Sequence, residues 1–151
     1  MSASERLAAL GIELPPVVTP IGAYVPAKAS AGQVLTSGQL PIDAVGQLVA
    51  GRLGEDLEVA DGQRAARIAV LNALAAAASV AGGLDAVHEV VRVMVFVNSA
   101  PGFTDQALVA NGASELLGEV FGDAGRHVRS AVGVAALPKN AAVEVELVVG
   151  V

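Results

Sequence analysis

The stretch "VRSAVGVAALPKNAAVEVELVV", residues 128–149, decides how this chain is read. Two runs that alternate like strands flank Leu137-Pro138-Lys139-Asn140, with Pro138 at the second and Asn140 at the fourth position of a turn. In an extended chain successive side chains point to opposite faces. Val143, Val145, Leu147 and Val149 therefore share one face, and Glu144 and Glu146 share the other. In the first run Val128, Ser130, Val132 and Val134 point one way, and Arg129, Ala131 and Gly133 the other. Small neighbours leave room beside the Arg129 guanidinium, and a guanidinium with room beside it suits a carboxylate held by two parallel hydrogen bonds. Two plainer readings stand next to this one. The two glutamates form a solvated face, or Arg129 and Glu144 pair across an antiparallel terminal hairpin, worth at most about 1 kcal/mol if exposed.

Working toward the N-terminus, "AVHEVVRVMVFVN" (residues 86–98) reads as a strand apolar on both sides near its end. Two helices flank it. Asp61 is a good N-cap for a helix over 63–80, whose apolar face is Ala65, Ile68, Ala69, Leu71, Leu74 and Ala78, and Gly82-Gly83 ends it. Thr104 caps the second helix, which Gly122 ends. Before the first helix, strands are expected over 21–27 and 33–37 around an Ala31-Gly32 turn, with one further short strand near Leu48. Gly38 and Pro41 turn the second strand into a loop, and a glycine at a strand end lets a ligand approach the main chain. Ser2 and Glu5 have the spacing of a capping box for a helix from Ser4 to Leu10, stopped at Gly11. The expected architecture is α+β: a mixed six-stranded sheet with two crossover helices on one face and a terminal hairpin. The division is an N-terminal helical extension over 1–16 and a single domain over 17–151.

Composition bounds the function. The chain has 151 residues, 54% of them hydrophobic and 16% charged, enough for a core and some buried surface against copies of itself. A net charge of −6 and 3% aromatics argue against a nucleic-acid surface. There is no cysteine, so neither disulfides nor thiolate chemistry enter. The apolar run from Ile68 is alanine-rich and interrupted by Asn72, which fits a buried helix better than a membrane span. A soluble cytoplasmic protein is the default expectation. His88 and His127 stand alone, without a second ligand at metal spacing, and read as surface residues; no metal and no cofactor is expected.

"IGAYVPA" (21–27), "LTSGQLPID" (35–43), "VVRVMVFVNS" (90–99) and the opening stretch, in this order and spacing, closely resemble the YjgF/Rid family of reactive intermediate deaminases. The resemblance covers residues 19–149. The final motif, a small residue before Arg-Ser and then V-x-x-L-P-K-x-x-x-V-E-V-E, is its most specific part. The segment "FTDQALVANGASELLGEVFGDAGRH" (103–127) is longer than in the best-known members and marks a subgroup. The resemblance implies a chorismate-mutase-like fold and a homotrimer with ligand clefts between subunits. It implies hydrolysis of enamine and imine acids such as 2-aminoacrylate to 2-keto acids and ammonia, without a cofactor. It implies that Arg129 grips the substrate carboxylate and Glu144 holds the attacking water. Tyr24, Ser37 and Gly38 match residues around the ligand, and Ala131 stands where deaminase members typically carry cysteine, at a position that offers its backbone N–H.

These roles suit the residue types. An imine carbon is already electrophilic, so positioning a water beside it removes much of the barrier. A glutamate with an ordinary pKa of about 4.3 is ionised at neutral pH and accepts the proton. Two other readings remain. One is a trimeric binder of small carboxylates without turnover; the other, against which the charge speaks, is an endoribonuclease or translation inhibitor.

Overall fold

In the computed structural model, which describes residues Met1–Val151, the first helix forms as its capping box dictates. Helix α1 (Ala3–Ala9) starts at Ser2, whose hydroxyl accepts from the Glu5 N–H while the Glu5 carboxylate accepts from the Ser2 N–H. Its buried Leu7 joins the core. Ser4 donates from backbone and hydroxyl to Asp85, at 2.8 and 2.6 Å, which ties the helix to the body. Those two bonds hold the exposed Asp85 carboxyl below the usual carboxylate range.

The sheet has five strands in the order β1-β2-β5-β3-β4. Strands β1 (Ala27–Ser30) and β2 (Gln33–Thr36) form a hairpin. Ala31 and Gly32 both take positive φ at its tip, the pattern of a two-residue turn that matches strand twist. Helix α2 (Val59–Ala81) follows, then β3 (Glu89–Asn98), α3 (Gln106–Phe121), β4 (Val128–Val134) and β5 (Val143–Gly150). Helix α2 packs on β1, β2 and β5, while α3 packs on β3, β4 and α2. At the α2–α3 crossing Gly112 is obligatory, because a Cβ there would overlap the Gln63 carbonyl. The alanines of α2 give the same close approach to the sheet, at the cost of less apolar area buried per residue than leucine offers. Helix α2 is long and apolar enough to cross a membrane, but most of it is buried inside the fold.

Several expectations change. Five strands form, not six: near Leu48 there are only isolated bridges, Ile42 with Leu48 and Ala50 with Ala141. Glycines with positive φ at Gly46, Gly51 and Gly54 break that segment. Residues 21–26 are not a strand, since the chain turns at Gly22–Tyr24 and Pro26 cannot donate to a ladder. The two last strands do not pair as a hairpin. β3 lies between them, parallel to β4 and antiparallel to β5. Asp105 rather than Thr104 takes the N-cap position of α3, and its side chain makes no capping hydrogen bond. Asp61 lies three residues inside the start of α2, its carboxylate accepting from the Glu58 N–H at 2.9 Å.

The helix-facing side of the sheet is closed by Val93, Val95, Val97, Val143, Val145 and Leu147, all essentially buried. The other side carries Leu35, Met94, Phe96, Val132, Glu144 and Glu146, and no element of the chain covers it.

Candidate functional site

Glu144 sits at the floor of a cleft of about 450 Å3, counting its open mouth, lined also by Ile21, Tyr24, Gly38, Leu40 and Lys139. Its place follows from the alternation of β5. Val143 and Val145 are drawn into the core, so Glu144 is turned to the uncovered face. The loop after β2 is then locked alongside it. Gln39 and Val145 exchange backbone hydrogen bonds at 2.8 and 3.0 Å, which lays Gly38 against Glu144. Buried Asn72 on α2 donates to the carbonyls of Leu40 and Ile42 at 3.0 and 2.9 Å, fixing the rest of the loop. A Cβ at Gly38 would lie 2.7 Å from the Glu144 carboxyl carbon, so the space this glycine frees is filled by Glu144 itself.

Burial, reinforced by the neighbouring charge of Glu146, pushes the Glu144 carboxyl above its ordinary value. The sequence-based expectation of an unshifted glutamate is corrected accordingly. A raised carboxyl holds and returns protons more readily near neutral pH, as a general base that later acts as an acid requires.

Tyr24, Gly38 and Glu144 thus converge. Ser37 is adjacent but committed elsewhere, its hydroxyl donating to the Val25 carbonyl at 2.6 Å. That bond supports the segment that carries Tyr24.

Arg129 does not meet Glu144 within the chain. Its register partner on β3 is core-facing Val93, whereas that of Glu144 is Phe96 on the opposite face. Strand β3 and the thickness of the sheet separate them, which also rules out the cross-hairpin ion pair. The room expected beside the guanidinium is occupied by α3. Nη1 donates to Asn111 Oδ1 at 2.8 Å and Ser114 Oγ at 3.1 Å, and Nη2 donates to the Ala107 carbonyl at 3.2 Å. A guanidinium has five N–H groups, so Nε–H and one Nη2–H stay unengaged. Ala131 lies two residues on, on the same face, packed against the core.

His127 is not the surface residue expected. It is half-buried, its Nδ1 2.6 Å from the Gly125 carbonyl and its Nε2 2.8 Å from Ser114 Oγ. A carbonyl only accepts, so Nδ1 carries the proton. In the neutral ring Nε2 then accepts the Ser114 hydroxyl proton, leaving the serine oxygen free to accept from Arg129. His88 is exposed.

Sequence reading missed Lys139 as a lining residue, and Asn111 with Ser114 as the holders of Arg129. The second pair had a signal: Asn111 and Ser114 are polar residues three apart in a helix and so share one face. Lys139 had none, because only the path of the turn before β5 brings it to the cleft.

Comparison with known proteins agrees with this architecture. The model of the family described as "YjgF/chorismate mutase-like, putative endoribonuclease" matches residues 4–151. Protein TCP17 of Trypanosoma cruzi is 49% identical over 152 residues, covering 97% of this chain and 95% of the relative. A crystal structure from Shewanella oneidensis, described as a putative endoribonuclease, superposes with a TM-score of 0.95 at 35% identity over 100% of both chains. The crystal structure of E. coli TdcF with bound serine gives a TM-score of 0.64 at 27% identity, over 91% of this chain and 94% of that one. Shared sequence over the whole length and superposable folds lead to one conclusion: the chain belongs to the YjgF/chorismate mutase-like family.

Proposed function

We propose that this protein hydrolyses enamine and imine acids of the 2-aminoacrylate type to 2-keto acids and ammonia, in clefts formed between copies of a homotrimer. The observation that carries the reading is the half-buried Glu144 carboxylate, raised in pKa, in a cleft shared with Tyr24 and closed by Gly38. In the enamine's imine tautomer, Glu144 takes a proton from water as its oxygen bonds to the imine carbon. It then returns that proton to the nitrogen, giving a carbinolamine. A second transfer, from the carbinolamine hydroxyl through Glu144 to the nitrogen, breaks the C–N bond and leaves ammonia and the carbonyl. No external oxidant or reductant is consumed.

Arg129 enters from another copy in this reading, since one sheet keeps it from Glu144 of its own chain. Two features support that. The guanidinium is oriented by α3 yet keeps two N–H groups, enough for a bidentate carboxylate. The sheet face carrying Glu144 also exposes Leu35 and Val132, at 44% and 41%, beside the edge residue Val128 at 65%, a patch suited to a neighbouring subunit. A second reading, a trimer that binds small carboxylates without turnover, is favoured by Ala131 at the position of the family's cysteine. The endoribonuclease role suggested by relatives' names fits poorly with a net charge of −6.

The test couples an amino-acid dehydratase to this protein and follows keto-acid release. Arg129→Ala and Glu144→Gln are each expected to be inactive. Co-expressed together, they regain activity in the roughly one quarter of trimer clefts that pair an intact Arg129 with an intact Glu144. Full activity of either single variant sinks the site, and binding of 2-ketobutyrate by a parent protein that never accelerates keto-acid release selects the binder.

A further inference from the structure

The cleft contains one basic side chain from its own chain, and neither the fold nor the family resemblance assigns it a role. Lys139 lines the cleft with Glu144 and Tyr24. The ion pairs of the chain join Arg52 to Glu55, Arg67 to Glu119 and Arg126 to Asp123, so Lys139 is uncommitted.

Its backbone is held in a costly conformation. Lys139 and Asn140 take φ of 57° and 56°, two consecutive left-handed residues without a glycine. Buried Asn98, 1% exposed, enforces this turn. Its amide donates to Asn140 Oδ1 at 3.0 Å, to the Ala141 carbonyl at 3.1 Å and to the Gly51 carbonyl at 3.2 Å. The Asn140 carbonyl in turn accepts from the Gly51 N–H at 2.8 Å. Strain that a buried network over-determines is kept for what it presents, and here it presents Lys139 to the cleft.

We infer that Lys139 is a second cation for the ligand carboxylate in the Glu144 cleft, drawing it in from the same chain as Glu144 and neutralising it beside the Arg129 that a neighbouring copy brings. The inference rests on that cleft being the ligand site. A carboxylate entering it meets the Glu144 charge, and two anions in a half-buried space repel unless a cation stands between them. Arg129 of the same chain is on the other side of the sheet and cannot serve. Ile21 and Leu40 line the same cleft, so the ligand class is a short aliphatic 2-keto or 2-imino monocarboxylate. Lysine contributes a point charge without the planar fork of arginine, so it attracts and neutralises while orientation is set by other groups.

The experiment is calorimetric titration of the intact protein with 2-ketobutyrate and with its uncharged amide, for the parent, Lys139→Gln and Lys139→Arg. Lys139→Gln is expected to weaken 2-ketobutyrate binding about tenfold to a hundredfold while leaving the amide unchanged, and Lys139→Arg to stay within about threefold of the parent. Unchanged 2-ketobutyrate affinity in Lys139→Gln overturns the inference. So does equal loss of both ligands, which marks a structural role, and so does a parent that binds no 2-ketobutyrate. Turnover is read separately with Glu144→Gln. Binding that depends on Lys139 in a protein without turnover removes the hydrolysis but keeps this anchor, whereas turnover indifferent to Lys139 does the reverse.

Discussion

Gly38→Ala isolates the position of the Glu144 carboxylate from everything else in the fold. Gly38 does not have a left-handed φ, so alanine is conformationally allowed there. The added Cβ, however, would lie 2.7 Å from Glu144 Cδ, 2.9 Å from Cγ and 3.0 Å from Oε1. Carbon atoms in contact sit about 3.5–4.0 Å apart, so the carboxylate has to withdraw by about 1 Å. The atoms in the way are the far end of a flexible side chain. Glu144 therefore escapes by an off-rotamer torsion costing about 0.5–1.5 kcal/mol, which in a chain of this size lowers the Tm by about 1–6 °C. A displacement of about 1 Å in a positioning group nevertheless costs on the order of a hundredfold in rate. The expected result is a folded protein, nearly as stable as the parent, whose kcat/KM in the dehydratase-coupled assay falls about a hundredfold. Thermal unfolding and the coupled assay on one preparation check both halves. Activity within about threefold of the parent would show that the carboxylate's position against Gly38 does not matter, and the argument for Glu144 as the water-holding base would fail with it.

Two further outcomes follow from the same geometry. Because burial raises the Glu144 carboxyl, ionising it works against folding: its stability contribution is fully present below the unfolded pKa and is lost as pH rises through the folded one. Glu144→Gln is thus expected to be more stable than the parent at neutral pH and to lose that advantage in acid, which chemical denaturation at a series of pH values reads directly. Asn98→Ala removes a buried amide whose two N–H groups are shared among the Gly51 and Ala141 carbonyls and the Asn140 side chain. It is expected to cost about 2–4 kcal/mol and to reduce 2-ketobutyrate affinity as the Lys139 turn relaxes, whereas a loss under about 1 kcal/mol in urea unfolding contradicts the pinning role.

The face assignments in β4 and β5 are legible in the residues themselves, because alternation in an extended chain is a local consequence of the backbone. Arg129, Ala131 and Gly133 do share a face, as do Glu144 and Glu146. The hairpin tip at Ala31-Gly32, the capping box at Ser2, the Gly82 stop and the buried alanine helix are equally local, set by φ preferences, cap donors and apolar period. The order of strands is not. β4 and β5 follow each other through a short turn, and nearest-neighbour pairing is the natural expectation, yet β3 lies between them.

That single long-range pairing decides the chemistry. It puts the guanidinium and the carboxylate on opposite sides of a sheet, hands Arg129 to Asn111 and Ser114 of α3, and gives Glu144 a cleft with Tyr24 and Lys139. The residues themselves determined which side chains carry charge, which way each points from its strand, and to which family the chain belongs. Only the folded sheet determined which of those charges are neighbours, because adjacency across strands depends on packing partners distant in sequence, and no local rule of backbone geometry encodes it.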